Sequence, residues 1–503
     1  MSHLSLPAIF RDGMVLQRQK PVCIWGRSDT ADPVSVSLNG VSALAEVRGG
    51  AWQVRLPPLQ AASGLELTVR TGDSSLVVRD VAVGEVWLAG GQSNMEFLLR
   101  DDADRESARL FADADVRCYE VPKIAYEGQE RDRDYSQSGI WRKAGPGDSD
   151  YFTAVGFYFA LRLKEELGVP VGIINCTWGG TSASAWVDEE DLSGDLAFFL
   201  NRAREARAAV DPLTELEEYR KIQQMIDALP PMNAVVNERP LVPDPGMQAD
   251  MDHMNRYHLC AYSPFRPAGL YHTMLLKIVP WTVRGVLWYQ GESDEYYGEL
   301  FEPLTRTLIR KWRALWGEDL PFLMVQLPPF EYMMEPLNFV PLRRMQAQIA
   351  ADTPHVHLVC AMDAGLRYDV HPKHKKPIGL RLALQALRHV YGLPEESDSP
   401  EAESIRRQGS ELIISFAHGN GLHVKGREPG TLDLTVDGET VTEYDAFVRE
   451  DCLVIRTAAL ASARSASLRF AWRPWCEDHL YNRADLPAFP FELTWKNKSQ
   501  EDM

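Results

Sequence analysis

Between residues 81 and 395 the chain alternates two kinds of segment, and this alternation restricts its fold more than any other feature. Apolar runs at 84–89, 171–176, 283–289, 322–326 and 357–362 are short and nearly continuous, so they read as buried strands. Helical periodicity lies between them, at 154–167, 304–316, 342–351 and 377–391. Three of these segments stop at a glycine (Gly168, Gly317 and Gly392), the usual helix end. Strand–helix alternation predicts an α/β fold with a doubly wound parallel sheet, in which sites collect at the carboxyl ends of strands.

The flanks differ. Residues 1–80 hold alternating runs such as Val34-Ser35-Val36-Ser37-Leu38 and Trp52-Gln53-Val54-Arg55-Leu56, separated by turns at Asn39-Gly40, Gly49-Gly50 and Gly72-Asp73. They predict an N-terminal β module of sandwich or barrel type. A linker-like stretch, Glu396-Ser397-Asp398-Ser399-Pro400, opens a C-terminal β module at 396–503, with strand signals at 412–416, 432–436, 453–456 and 466–470. Residues 188–265 interrupt the central domain. A charged helical stretch at 213–229 is followed by a tract rich in Pro, Met and Asn at 230–255. As an insertion it either rims a site or makes a surface excursion.

The net charge of -18 and pI of about 5.2 argue against nucleic acid and anionic membrane as partners. No run of 18 apolar residues predicts a transmembrane helix, and the first residues show no signal peptide. The seven cysteines (Cys23, Cys118, Cys176, Cys260, Cys360, Cys452 and Cys476) are odd in number and scattered, with no C-x-x-C pair. Reduced thiols, a cytoplasmic location and no zinc site are the expectation.

Three segments at strand ends carry groups that can do chemistry. Gly90-Gly91-Gln92-Ser93-Asn94-Met95 follows the first central strand. Its glycines permit a tight turn and close backbone approach. Ser93 would stand exposed beside a helix N-terminus whose N–H groups can face an oxyanion, although a plain N-cap fits the same pattern. Trp288-Tyr289-Gln290-Gly291-Glu292-Ser293 ends the strand at 283–289. The Gln290 amide can donate to an oxyanion, and Glu292 can buttress or act as an acid or base; a polar turn without a role also fits. Arg367-Tyr368-Asp369-Val370-His371-Pro372 precedes the last helix. Asp369 can hold the His371 imidazole by its Nδ1–H and leave Nε2 for a serine hydroxyl. A metal pair there lacks a third ligand of recognisable spacing. Trp178-Gly179-Gly180-Thr181, after another strand, offers a further backbone N–H. The order Ser, Asp, His suits a serine hydrolase that lacks a Gly-x-Ser-x-Gly elbow, as this chain does.

These segments resemble, almost end to end, the bacterial sialate O-acetylesterase family of the SGNH (GDSL-like) hydrolase superfamily. Besides the blocks around Ser93, Trp178, Gln290 and His371, the likeness includes Asp12-Gly13-Met14-Val15-Leu16-Gln17-Arg18, Ala185-Trp186, Lys375 with Gly379 and Arg381-Leu382, and Leu480-Tyr481-Asn482. The resemblance implies a flavodoxin-like hydrolase domain at 81–395. Ser93 would be the nucleophile, His371 the base and Asp369 its orienting partner. The Ser93 N–H, an N–H of Gly179 or Gly180, and the Gln290 side chain would form the oxyanion hole. It implies no metal and no cofactor. His374 stands where the family often has Asn, and 188–265 matches the family poorly.

The implied reaction removes acetyl groups from sugar hydroxyls through an acetyl-Ser93 intermediate. Its expected partner is an O-acetylated sugar, with sialate first; a homo-oligomer is compatible with the sequence. A sialate carboxylate calls for a local cation. Arg367, Lys373, Lys375 and Lys376 crowd the His371 loop, where a merely solvated basic loop also fits. Neutral xylan, mannan or xyloglucan fragments are the alternative, stacking on Trp178, Trp186 or Tyr289, with Glu292 and Arg367 as polar contacts. Two readings from other classes stay open: a non-catalytic sugar-binding protein, and a glycoside hydrolase built on Glu292 with a second carboxylate.

Overall fold

The computed structural model describes residues 4–131, 133–228, 245–331 and 338–497. At its centre lie β1 (Ser74–Gly91), β2 (Asp113–Glu120), β3 (Trp141–Ala144), β4 (Val171–Thr177), β5 (Gly285–Tyr289), β6 (Phe322–Val325) and β7 (Val356–Val359). Their order across the sheet is β3-β2-β4-β1-β5-β6-β7. Every neighbouring pair is parallel except β3 with β2 at the edge. The five strands expected from the sequence are β1 and β4 to β7. Their order, β4-β1-β5-β6-β7, reverses direction between β1 and β5, so the crevice of the sheet opens at the carboxyl ends of these two strands.

The sheet is buried on both faces, which is why its strands are apolar without alternation. Trp87 of β1 packs edge-on against Phe159 of the helix Ala154–Leu167, with ring centroids 5.1 Å apart. Three residues on, and therefore on the opposite face, Gly90 lies against Trp312 of the helix Phe301–Trp316. The two helices end at Gly168 and Gly317, both left-handed with φ 64. The last central helix, Lys376–Gln385, continues as a π turn through Val390.

β2 and β3 had no counterpart in the sequence reading. β2 carries Arg117, which is 1 % exposed and spends its guanidinium on the carbonyls of Gly13, Asp80 and Ala114. A charged residue satisfied by main-chain carbonyls leaves no apolar run to recognise.

β1 also belongs to the N-terminal β structure. Its first half pairs antiparallel with Ala62–Thr71, and Val15–Gln17 runs parallel to it from Ala82 to Gly84. Residues 80 and 81 both lie inside this strand. At its buried base Glu85 accepts hydrogen bonds from Arg18, Gln17, Arg284 and Tyr391, which ties three regions of the chain together.

Two four-stranded antiparallel sheets make up most of the C-terminal region. Leu412, Ile414, Leu453 and Ile455 of one share a core with Leu434, Leu468 and Phe470 of the other. Cys360 and Met362, just beyond β7, join that core. Within 188–265 the chain forms helices Ala197–Ala208, Glu215–Asp227 and Pro245–Tyr257; residues 229–244, and with them much of the Pro-rich tract, lie outside the described residues. All seven cysteines are free thiols. Among the described residues no helix is long and apolar enough to cross a membrane.

Candidate functional site

The site begins with the close approach of β1 to β5. At Gly91 φ is +128, and a Cβ there would come within 2.1 Å of the Tyr289 carbonyl oxygen, so only glycine lets the chain turn at this point. A single helical turn, Ser93–Glu96, follows. Ser93 is half-buried, and its Oγ lies 2.8 Å from His371 Nε2.

The His371 loop is held from several sides. Asp369 Oδ1 accepts the backbone N–H of His371 at 2.9 Å, and its Oδ2 pairs with Lys373 Nζ at 3.0 Å. The carboxylate thus grips the main chain of the loop, where the sequence reading had it grip the ring. Burial, followed by the Lys375 charge, pushes the imidazole down to about 4, against the pull of Asp369. His371 is therefore neutral at pH 7 and able to accept a proton.

Asn94 joins the three strand-end segments. Its Nδ2 donates to Glu292 Oε1 at 2.5 Å and to the Val370 carbonyl at 2.9 Å, while its Oδ1 accepts from Lys375 Nζ at 2.5 Å. Glu292 is buried, and burial pushes its carboxyl up; the bond from Asn94 works in the opposite direction. At 7 % exposure and bonded to Asn94, Glu292 is enclosed by the protein, which corrects its expected place as a contact for the sugar.

Gln290 is 1 % exposed. One amide hydrogen goes to Asp294 Oδ2, and Gln92 Oε1 and Thr181 O lie 3.5 Å from its Nε2. Asp294 also accepts the N–H of Ala183 at 3.0 Å, and burial pushes its carboxyl up.

Gly179 presses directly on Ser93: a Cβ built on it would stand 3.2 Å from Ser93 Cβ. Its N–H, however, donates to Glu96 Oε2 at 2.6 Å, and Glu96 also accepts from Lys123. This corrects the expectation for Gly179, whose N–H is already committed to a carboxylate. Gly180 is exposed, with φ +75, and faces Phe265.

Two proposed stacking platforms are also corrected. Trp186 is 0 % exposed and donates its Nε1–H to Thr181 Oγ1, and Tyr289 is 1 % exposed within β5. Both are core side chains with no face open to a sugar. Trp178 is half-buried beside the aromatic cluster of Tyr126, Tyr219 and Tyr262, to which the 188–265 region contributes. The cations expected near His371 are mostly engaged. Arg367 pairs with Glu331 at 2.6 Å, Lys373 with Asp369, and Lys375 is buried; Lys376 is exposed at the start of the last helix.

Among the described residues the donors grouped closely enough to hold a metal are Asp188, Glu189 and His272. Lys311 Nζ already stands 3.3 Å from Asp188, and His272 lies 2.7 Å from Glu189, so this group is balanced within itself. Four participants in the site escaped the sequence reading: Asn94, Glu96, Lys123 and Asp294. Asn94 lies inside the Ser93 segment and Glu96 directly after it, and their nearness to Ser93 was the available signal.

A family model described as "Carbohydrate esterase, sialic acid-specific acetylesterase" matches residues 263–388, which include Gln290 and His371. The sialate O-acetylesterases of mouse and human are each 24 % identical to the chain, over 95 % of it and 92 % and 90 % of their own lengths. A carbohydrate acetylesterase from Xanthomonas citri has a similar crystal structure, with 30 % identity, a TM-score of 0.75, and coverage of 98 % of this chain and 99 % of that one. The chain belongs to the sialate O-acetylesterase family and is a carboxylic ester hydrolase.

Proposed function

We propose that the protein removes O-acetyl groups from sugars, using Ser93 as nucleophile and His371 as general base, in a central domain of the doubly wound, flavodoxin-like SGNH type. The observation that carries this reading is the 2.8 Å contact between His371 Nε2 and Ser93 Oγ at the mouth of the β1/β5 crevice. His371 takes the Ser93 proton as Oγ attacks the acetyl carbonyl. It then protonates the departing sugar alkoxide. A water deprotonated by the same imidazole releases acetate and restores Ser93. Asp369 serves by fixing the His371 main chain and countering positive charge around the ring.

For the oxyanion hole, the Ser93 N–H, the Gly180 N–H and the second amide hydrogen of Gln290 are the proposed donors. The bond from Gln290 to Asp294 supports this role by fixing the amide plane in advance.

O-acetylated sialate is the proposed substrate, supported by the names of the mouse and human relatives. Neutral acetylated oligosaccharides form a second reading, supported by the engagement of Arg367 and Lys373 with carboxylates. Acetate release from O-acetylated sialic acid and from acetylated xylo-oligosaccharides, measured side by side, separates the two. Ser93→Ala tests the chemistry itself: release of 4-nitrophenol from its acetate should vanish, and retained turnover overturns the assignment of Ser93.

A further inference from the structure

Lys375 is 1 % exposed, a costly place for an ammonium group. It meets an amide oxygen and two aromatic faces: Asn94 Oδ1 at 2.5 Å, the Phe97 ring at 4.7 Å and the Tyr289 ring at 5.7 Å. The Asn94 amide separates this cation from the Glu292 carboxylate. Only one orientation of that amide serves both, with its oxygen toward the ammonium and its nitrogen toward Glu292 and the Val370 carbonyl. Asn94 follows Ser93 in the chain, and Val370 precedes His371. The bond from Asn94 to Val370 therefore spans the two loops whose side chains meet at 2.8 Å.

We propose that Asn94 and Lys375 are positioning residues for the Ser93–His371 contact. The buried ammonium orients the Asn94 amide, the amide fixes the His371 loop against the Ser93 turn, and the same charge disfavours a proton on His371. This inference rests on the roles proposed for Ser93 and His371.

The charges that face His371 are Lys375, Asp369, Lys373 and Glu96; those that face Lys375 are Glu292, Asp102, Lys373 and Asp369. Burial pushes Lys375 down to about 7, against the pull of Glu292 and Asp102, so below that pH it presents a full charge to the imidazole.

The test compares Lys375→Met, Lys375→Arg, Asn94→Ala and the Asn94→Ala/Lys375→Met double variant with the parent. Hydrolysis of 4-nitrophenyl acetate is followed from pH 4 to 9, with urea unfolding in parallel. Lys375→Met removes a buried charge but leaves Asn94 Oδ1 without its donor and Glu292 without a nearby cation, so the urea midpoint should fall while the fold is retained. Its kcat should fall on the order of tenfold or more at nearly constant KM, and its acid limb in kcat/KM should move to higher pH. Lys375→Arg should keep the acid limb low, which a purely steric role does not predict. Asn94→Ala should lower kcat without moving the limb. The double variant should lose little more than the worse single one, as members of one network do. Parental kcat in Asn94→Ala, a limb that moves alike in Lys375→Met and Lys375→Arg, or additive losses overturn the inference. Should Lys375→Met fail to fold, Lys375→Arg and Asn94→Ala still decide. Activity in a Ser93→Ala control overturns the underlying reading instead, so the two failures are distinguishable.

Discussion

Glu96 Oε2 accepts the backbone N–H of Gly179 at 2.6 Å, and this bond fastens the turn after β4 to the helical turn that begins at Ser93. The carboxylate holds Gly179 against Ser93, where the gap left by the missing Cβ lets the two backbones meet. Glu96→Ala should let this turn drift and lower kcat by on the order of tenfold to a hundredfold. Glu96→Gln keeps an acceptor for Gly179 and should retain most of the activity. Equal losses in the two variants would show that the charge matters, and not the bond. Steady-state kinetics on 4-nitrophenyl acetate distinguish these outcomes.

The pH profile follows from His371. Burial, then Lys375, holds its imidazole near 4, below the ordinary 6.5, and the proposed base works only when neutral. Activity should therefore hold its plateau down through pH 6 and fall only as pH approaches about 4. The folded value lies below the unfolded one, so the unfolded chain binds more protons between these two pH values. Stability should decline as pH falls through that window. A kcat/KM profile with an acid limb near 6.5 would contradict the buried setting of the ring.

Much of this organisation was legible in the sequence because burial on both faces leaves continuous apolar runs, as in β4 and β5. The strands β2 and β3 were not, since Arg117 in β2 and Arg142 and Lys143 in β3 interrupt any apolar run, and what satisfies Arg117, three carbonyls and the Asp80 carboxylate, comes largely from distant parts of the chain. The partners of the site follow the same logic. Ser93 and Gln290 follow apolar runs, and His371 stands in an Asp-x-His pair before the last helix, so all three stand out. Asn94 carries no signal beyond its place after Ser93, and Lys375 reads as one cation of a basic loop, because nothing local reveals that the chain folds over them. Trp186 and Tyr289 show the converse: an aromatic beside a motif reads the same whether its ring faces a ligand or the core.

That difference gives a paired prediction for two tryptophans. Trp178 is half-buried beside Tyr126 and Tyr262, whereas Trp186 is 0 % exposed. Trp178→Ala should raise KM for an acetylated sugar far more than for 4-nitrophenyl acetate, with little change in urea midpoint. Trp186→Ala should instead lose about 3–5 kcal/mol of stability, as truncation of a fully buried aromatic does. An unchanged KM for sugar esters in Trp178→Ala removes that ring from the substrate path.

The last prediction concerns the base of the parallel sheet, where β1 begins to pair with β4 at Glu85. Burial alone would push the Glu85 carboxyl up, yet the bonds from Arg284, Arg18 and Gln17 bring it below its ordinary value. Arg284 Nε stands 2.8 Å from Glu85 Oε2, and Arg18 Nε stands 2.6 Å from Oε1. Arg284→Met would leave a buried carboxylate short of a partner, a change that costs about 3–5 kcal/mol in comparable settings. Because the folded value is depressed, the contribution of Glu85 is present above the ordinary carboxylate range and fades as pH falls through the depressed one. The stability gap between parent and Arg284→Met should therefore be wide at pH 7 and narrow in acid. Replacing both Glu85 and Arg284 with apolar residues should recover part of the loss, since no charge is then stranded. Urea unfolding at pH 7 and in acid measures both effects. A gap that stays constant with pH would mean that Arg284 acts through packing on Tyr391 and not through Glu85.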